Sequence, residues 1–88
     1  MAVNYEKVSE ILKALAHPAR LKMVAGLLKD ECNVAQIQKV LGLPQSTISQ
    51  HLRVLKNAGI IKGRREGTKT CYRVIDARVR KIVEIIKR

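Results

Sequence analysis

A run of hydrogen-bonding side chains between residues 45 and 53 is the feature of the sequence with the most evident chemistry. Its members are Gln45, Ser46, Thr47, Ser49, Gln50 and Arg53, with His51 at the flank. Ser46, Ser49, Gln50 and Arg53 follow the i, i+3, i+4, i+7 spacing that places side chains on one face of a helix. Amide, hydroxyl and guanidinium groups match the donors and acceptors on DNA base edges and phosphates. An ordinary exposed helix face more often carries Lys and Glu, so this polar stripe predicts a nucleic-acid contact.

The helix that carries the polar stripe is predicted to be buried on its other side. Ile48, Leu52 and Leu55 repeat there at helical spacing. The helix is predicted to begin at Pro44, run to about residue 57 and end at Gly59. We expect His51, between the two sides, to pack or to bond a phosphate rather than to bind metal.

A shorter helix is predicted directly before this one, over residues 35–41, with Ile37, Val40 and Leu41 facing the core. Gly42 follows, and glycine favours the left-handed backbone that ends a helix. A short helix, a glycine turn and a helix with a polar outer face form a helix–turn–helix, whose second helix enters the major groove. The sequence therefore predicts binding to double-stranded DNA.

The remaining pattern predicts further helices and a β-hairpin around this unit. The predicted helices cover residues 5–15 (after an Asn4 cap), 18–29 and a last segment capped by Asp76, and the predicted strands cover 60–65 and 70–75. The fold class is therefore mainly α with a small β-hairpin wing (α+β). It is a winged helix–turn–helix in the order α-α-(β)-α-α-β-β-α, with an optional strand before the third helix.

The predicted hairpin is strongly basic. It carries Lys62, Arg64, Arg65, Lys69 and Arg73 and a single acid, Glu66. A basic hairpin beside a recognition helix is suited to phosphates or the minor groove. Arg64, Arg65 and Lys69 are therefore predicted to contact DNA.

Length and composition narrow the classes of protein to which the chain can belong. Its 88 residues are 47% apolar and 28% charged, so residues 1–88 are expected to form a single globular domain. Eighteen Lys and Arg against seven acids give a net charge of +11, which indicates a polyanionic partner. Trp and Phe are absent and Tyr occurs twice, which argues against stacking of single-stranded bases.

Neither a membrane span nor an active site is predicted. No apolar run approaches the ~20 residues of a membrane span, and the first residues lack the apolar core of a secretory signal. We therefore expect a cytoplasmic protein. The sequence shows no nucleophile–base constellation, no phosphate-binding glycine loop and no paired carboxylates, so neither an enzyme nor a cofactor is expected.

The first and last helices are predicted to join two copies of the chain. A core drawn from 88 residues is marginal on its own, so a second subunit is expected to bury apolar surface. The residues predicted to meet in the homodimer are Val8, Ile11, Leu12, Leu15, Val79, Ile82, Val83 and Ile86.

Three stretches of the sequence resemble the ArsR family of winged-helix transcriptional repressors. The segment from Leu12 to Leu21 is similar to the family's opening motif, and the segment from Leu43 to Ile60 to its recognition-helix signature. Residues 64–67, followed by 72–74, resemble its wing. The resemblance implies a homodimer joined through its first and last helices that represses transcription at an operator and is usually released by a ligand.

The resemblance also implies positions at which relatives bind metal, and these positions hold other residues here. A Cys-x-Cys pair at the start of the third helix corresponds to Asn33 and Ala35, with Cys32 one residue early. An Asp-x-His motif near the last helix corresponds to Asp76 and Arg78. Zinc and similar metals need three or four ligands, so no metal site is expected.

Cys32 and Cys71 leave a redox role open. Some relatives sense persulfides with cysteines at positions that correspond here to about Ala25 and to a last helix without cysteine. In a winged helix, the segment before the third helix can pair with the returning wing strand, which would bring Cys32 and Cys71 together. Strand alternation argues against a bond, because Cys71 faces outward if Tyr72 and Val74 face the core. We therefore expect Cys32 to be a small core residue and Cys71 a surface thiol, with a redox-active pair as the alternative.

The predicted function is sequence-specific binding of a homodimeric repressor to a near-palindromic operator in double-stranded DNA. Two alternatives remain open: a nonspecific or architectural nucleic-acid binder, and a thiol-based redox-responsive regulator that uses Cys32 and Cys71. Winged helices also serve as protein-interaction modules, which is a third class. The polar stripe favours the specific DNA binder, because binders that read only shape need cations more than Gln and Ser.

Overall fold

The computed structural model describes residues 2–87 of the chain. Within them, the elements are α1 Tyr5–Leu15, α2 Pro18–Lys29, α3 Val34–Leu41, α4 Gln45–Asn57, β1 Ile61–Glu66, β2 Lys69–Val74 and α5 Ala77–Ile86. The predicted winged helix–turn–helix order is confirmed. Helices α1 and α2 have their predicted bounds, and α3 begins one residue earlier than predicted.

Three of the helices begin with a side chain that satisfies backbone donors of the first turn. Asn4 Oδ1 accepts from the Lys7 N–H at 3.1 Å, and His17 Nδ1 accepts from the Ala19 N–H at 3.1 Å. Asp76 accepts from the backbone N–H of Arg78 at 2.8 Å, at the start of α5. Such caps satisfy groups that have no partner within the helix, which fixes where each helix begins.

The carboxyl group of Asp76 is held in its charged form. Burial acts to raise its pKa, but hydrogen bonds from the side chain and backbone of Arg78 and from the backbone of Val79 outweigh burial. The net result is that the pKa of Asp76 lies below its usual value. The positive end of the α5 dipole also stabilises an ionised carboxylate at this position.

Helix α2 forms the centre of the core. Met23, Val24 and Leu27 are at most 1% exposed, and α2 packs against α1, α3, α4, α5 and β2. Helices α2 and α3 approach closely, because a Cβ atom at Gly26 would lie 2.9 Å from Ile37 Cδ1. Helices α3 and α4 therefore both pack against α2, a helix that is itself buried on most sides.

Two local predictions are wrong: the burial of Val40 and the exact bounds of the two strands. Val40 was expected to face the core but is 75% exposed, because α3 meets α2 along a narrow stripe centred on Ile37. The strands lie one residue away from their predicted bounds, because the hairpin turn holds only two residues, Gly67 and Thr68. Gly67 has φ 63°, as tight two-residue hairpin turns require.

The predicted dimer surface is wrong for half of its members. Ile11, Leu15, Val79 and Val83 are at most 3% exposed within the single chain. They are buried because α1 and α5 both pack against α2, so these side chains belong to the protomer's own core. Apolar side chains that stay exposed on the same two helices are Tyr5, Leu12, Ile85 and Ile86, with Val8 and Ile82 half-buried.

Among residues 2–87, no helix is long and apolar enough to cross a bilayer.

Candidate nucleic-acid interface

The polar stripe lies on the outer side of α4. Its exposed members are Gln45, Ser46, Ser49, Gln50 and Arg53, and Thr47 is half-buried at the edge. On the opposite side, Ile48, Leu52 and Leu55 are 2%, 7% and 0% exposed. Because these apolar side chains fix the helix in the core, the hydrogen-bonding groups stand on a rigid frame that can present them to base edges.

The N-terminus of α4 differs from those of α1, α2 and α5, because no side chain caps it. Pro44 is the capping residue, in place of its predicted position as the first helical residue, and its carbonyl accepts from the Thr47 and Ile48 N–H groups at 3.1 Å. The exposed first turn begins at Gln45. An uncapped N-terminus offers backbone N–H groups and the positive end of the helix dipole to a phosphate.

The turn between α3 and α4 is fixed by backbone geometry and one side chain. Gly42 ends α3 with φ 66°, as the sequence predicts, and its N–H donates to the Gln38 carbonyl at 2.9 Å. Gln38 Nε2 donates to the Leu43 carbonyl at 3.3 Å. These bonds set the angle at which α4 leaves α3.

Arg20 positions α4 relative to the end of α1, a role that the sequence analysis missed. Its Nε donates to the Ala14 carbonyl, and its Nη1 lies 3.4 Å from Nδ1 of His51 on α4. One guanidinium therefore joins α1, α2 and α4. The sequence carried little signal for this role, since Arg20 is one of 18 cations.

His51 lies inward of the polar stripe, against His17. The two rings are 4.6 Å apart between centroids, at 56°. Burial, followed by the charges of His17 and Arg20, lowers the pKa of His51 below its usual value. The ring is therefore neutral at pH 7, with Nδ1 accepting from Arg20 and the proton on Nε2. His17 caps α2, because its Nδ1 accepts from the Ala19 N–H.

Two wing residues that are predicted to contact DNA, Arg65 and Lys69, are exposed to solvent. Within residues 2–87, neither side chain forms a hydrogen bond or an ion pair with the rest of the protein. Arg65 pairs with Thr70 across the hairpin and Lys69 pairs with Glu66, both next to the turn. A groove between the wing and the end of α4 is lined by Lys56 and Lys62 as well as Arg65. Lys56 was not predicted as a contact, because it lies beyond the polar stripe.

Arg64 is also exposed, but two carboxylates of the protein pair with its guanidinium. Its Nη1 forms an ion pair with Glu31 in the loop before α3, and its Nε donates to Glu66 at 2.9 Å. The hydrogen bond to Glu66, followed by that to Glu31, raises the pKa of Arg64. With two carboxylates on one guanidinium, Arg64 is a weaker partner for a phosphate than Arg65 or Lys69.

The prediction that Cys32 and Cys71 stay apart is wrong. The two residues form a disulfide with an S–S distance of 2.03 Å, and Cys71 is fully buried. Strand alternation failed here because β2 is covered on both sides: Val74 packs in the core, and the loop before α3 covers Cys71. The optional strand of the prediction is reduced to one bond, in which the Tyr72 N–H donates to the Glu31 carbonyl at 2.8 Å.

In the part of the chain that the structure describes, no group of three or more His, Cys, Asp or Glu side chains is arranged to hold a metal ion. The sulfur atoms of Cys32 and Cys71 are bonded to each other. His17 Nδ1 is used by its cap, and His51 Nδ1 lies beside Arg20.

Known proteins match the chain over almost its whole length. The profile described as "Bacterial regulatory protein, arsR family" matches residues 17–62. An uncharacterized HTH-type transcriptional regulator of Methanocaldococcus jannaschii is 45% identical over 85 residues, covering 94% of each chain. The crystal structure of the transcriptional repressor PagR of Bacillus anthracis superposes with a TM-score of 0.81 at 40% identity, covering 93% of this chain and 94% of that one.

A third match is the homodimeric winged helix–turn–helix DNA-binding domain of a possible ArsR-family regulator from Mycobacterium bovis. It superposes with a TM-score of 0.82 at 31% identity and covers 94% of this chain and 77% of that one. The family profile, the sequence relatives and the superposed structures agree on a winged helix–turn–helix regulator. The chain belongs to the arsR family of bacterial regulatory proteins.

Proposed function

We propose that the protein is a homodimeric, sequence-specific DNA-binding repressor. It acts in the cytoplasm, which is the compartment that holds the chromosome. The observation that carries this proposal is α4, whose apolar side is locked in the core while Ser46, Ser49, Gln50 and Arg53 stay exposed in one stripe. Gln50 is suited to adenine, whose N6 and N7 one amide can meet, and Arg53 to guanine or a phosphate. The similar protein PagR is a transcriptional repressor, which supports the direction of regulation.

The dimer is supported by the apolar surface that α1 and α5 leave uncovered. Leu12 is 49% exposed, Ile85 65% and Ile86 57%, on helices that both pack against α2. An interface with a second copy would remove these apolar side chains from water. The similar domain from Mycobacterium bovis is homodimeric, and a second copy is therefore the partner proposed for this surface.

The dimer sets the form of the operator. Two recognition helices related by a twofold axis contact half-sites about one helical turn, ~34 Å, apart on one face of DNA. The operator is then near-palindromic. Arg65 and Lys69 on each wing lie beside the flanking backbone or minor groove in this arrangement.

Selection from a library of randomised duplexes, followed by sequencing, tests sequence specificity. We expect the purified protein to recover a near-palindrome and to bind it about a thousandfold more tightly than a scrambled duplex, as specific regulators do. Recovery of no consensus, with equal affinity for all duplexes, would indicate an architectural binder. Absence of any DNA binding would indicate a protein-interaction module.

Sedimentation of a double variant tests the dimer. Leu12→Asp with Ile86→Asp places charges on the exposed apolar surface without touching the core, and we expect monomers that no longer bind the selected duplex tightly. Val40→Asp is the matched control, because Val40 is 75% exposed and lies on α3. The control should sediment as a dimer. A double variant that remains dimeric would contradict the assignment of this surface.

A reporter gene placed behind the selected duplex tests the direction of regulation. Expression of the chain is expected to lower reporter output, and Gln50→Ala to restore it. An increase in output on expression of the wild-type chain would show activation and contradict the repressor assignment.

A further inference from the structure

The wing is attached to the rest of the protein by more than its own strands. Three links join it to the loop over residues 30–33, which precedes α3. They are the Cys32–Cys71 disulfide, the hydrogen bond from the Tyr72 N–H to the Glu31 carbonyl, and the ion pair between Arg64 and Glu31. The loop leads directly into the helix–turn–helix, so these links set the position of the wing beside the recognition helix.

The covalent link differs from the other two in its dependence on the environment. In mesophilic cells, stable disulfides are uncommon in the reducing compartment where a chromosomal DNA-binding protein works, and those found there are usually transient or redox-sensing. Cys71 is fully buried and Cys32 is half-buried, so the Cys32 side is the more exposed side of the bond. A bond that is more exposed on one side and connects the basic hairpin to its support has the features of a switch.

We propose that Cys32 and Cys71 form a reversible thiol–disulfide couple that regulates DNA binding by fixing or releasing the wing, with the disulfide form as the tighter binder. The proposal rests on the DNA-binding function proposed above and adds its regulation. The pair lies in the loop before α3 and in strand β2, so the switched element is the wing rather than the dimer surface.

Atoms and electrons balance both for reduction of the disulfide and for its formation. For reduction, the thiolate of a dithiol reductant attacks Cys32 Sγ and expels the Cys71 thiolate, which takes a proton. The second thiol of the reductant then displaces Cys32, leaving two protein thiols and an oxidised dithiol. For oxidation, the Cys32 thiolate attacks a hydroperoxide and releases an alcohol or water. Cys71 then displaces hydroxide from the Cys32 sulfenic acid, so two electrons pass from the thiols to the peroxide.

After reduction, one backbone hydrogen bond and one ion pair remain. The Arg64–Glu31 pair is solvent-exposed, with 42% and 38% of the two side chains accessible, and exposed ion pairs contribute little. A two-stranded hairpin is marginal by itself. The base of the wing stays in the core through Ile61 and Val74, so the loosened part is the outer half that carries Arg65 and Lys69. Helix α4 is held by apolar burial and should not respond.

Binding of the selected duplex by wild-type protein before and after reduction is the central test. We expect reduction by dithiothreitol to weaken affinity about threefold to tenfold, the cost of ordering one or two wing side chains on DNA. The salt dependence should become shallower at the same time. Cys32→Ser is the matched control, because it lacks the bond at a half-buried position, and its affinity should equal that of reduced wild type with or without reductant.

Hydrogen exchange gives a readout that needs no DNA. Amide protection over residues 64–71 should fall on reduction of wild type, while protection in α4 should be unchanged. Equal protection of the wing in both redox states would overturn the proposal, as would equal DNA affinity. If the oxidised protein binds no selected duplex at all, the proposed DNA-binding function fails instead, and hydrogen exchange still decides whether the bond controls the wing.

Equilibration with glutathione separates a switch from a permanent structural bond. A switch should become half-reduced in a mixture of millimolar reduced and oxidised glutathione, as measured by alkylation of the freed thiols and mass spectrometry. A bond that stays fully oxidised in reduced glutathione alone would be a structural link, and the proposal would be wrong.

Discussion

The recognition helix and the wing are both proposed to contact DNA, but they are held in place by different means. Helix α4 is fixed by burial of Ile48, Leu52 and Leu55, which leaves its polar side chains unengaged. The outer wing has little apolar burial, and it is held by a disulfide, a backbone hydrogen bond and the ion pair of Arg64. Arg64 is one of the cations that the sequence assigned to DNA.

This difference predicts that base recognition and phosphate affinity belong to different elements. A helix held by packing keeps its side chains within the tolerance that hydrogen bonding to bases needs. A hairpin held by links that can break contributes cations, whose interaction with the DNA backbone tolerates movement. Specificity is therefore expected to belong to α4, and adjustable affinity to the wing.

The largest expected effect comes from loosening α4. Leu55→Ala removes a side chain that is 0% exposed, and we expect it to lower the free energy of unfolding by about 2–5 kcal/mol. Val54→Ala on the same helix is the matched control, since Val54 is 38% exposed, and it should cost less than about 1 kcal/mol. Chemical denaturation measures both. Similar losses for the two variants would show that burial does not hold α4 in the manner described.

Two arginines of the wing should differ although they are neighbours. Arg65→Ala is expected to weaken binding to selected and scrambled duplexes alike and to reduce the slope of log affinity against log salt by about one unit. Arg64→Ala should change the slope by clearly less, because Glu31 and Glu66 already engage its guanidinium. Titrations at several salt concentrations measure the slopes. A larger slope change for Arg64→Ala would place Arg64 on the DNA.

The smallest expected effect is a pH dependence from His51. Its pKa lies below the 6.5 of an unperturbed histidine, so between 6.5 and the folded value the unfolded chain binds more protons. The contribution of His51 to the free energy of unfolding is therefore complete above pH 6.5 and is lost as the pH drops from 6.5 through the folded pKa. Thermal melts at about pH 7.5 and about pH 5.5 should show a larger loss for wild type than for His51→Gln. Equal losses would contradict the assignment.

Local sequence rules predicted most of the framework. The caps at Asn4 and Asp76 and the stop at Gly42 follow from side-chain or backbone chemistry within a few residues, and they appear as expected. The apolar periodicity of α4 also predicted its buried side. These features depend on neighbours along the chain, which a sequence displays directly.

Features that depend on distant segments were predicted less well. Whether Ile11 and Val79 face a partner or their own core depends on how α1 and α5 lie on α2, which periodicity does not specify. The environment of Cys71 depends on the loop that covers β2, which simple alternation ignores. The engagement of Arg64 depends on Glu31, 33 positions away.

Binding of Gln50→Ala to the selected duplex and to its scrambled counterpart tests the division between helix and wing most directly. Gln50 is exposed on α4, so its loss should not affect the fold. We predict a loss of about 1–3 kcal/mol on the selected duplex and little change on the scrambled one, because only base recognition is removed. Equal weakening on both duplexes would show that α4 only anchors phosphates, and that this protein does not read sequence through its recognition helix.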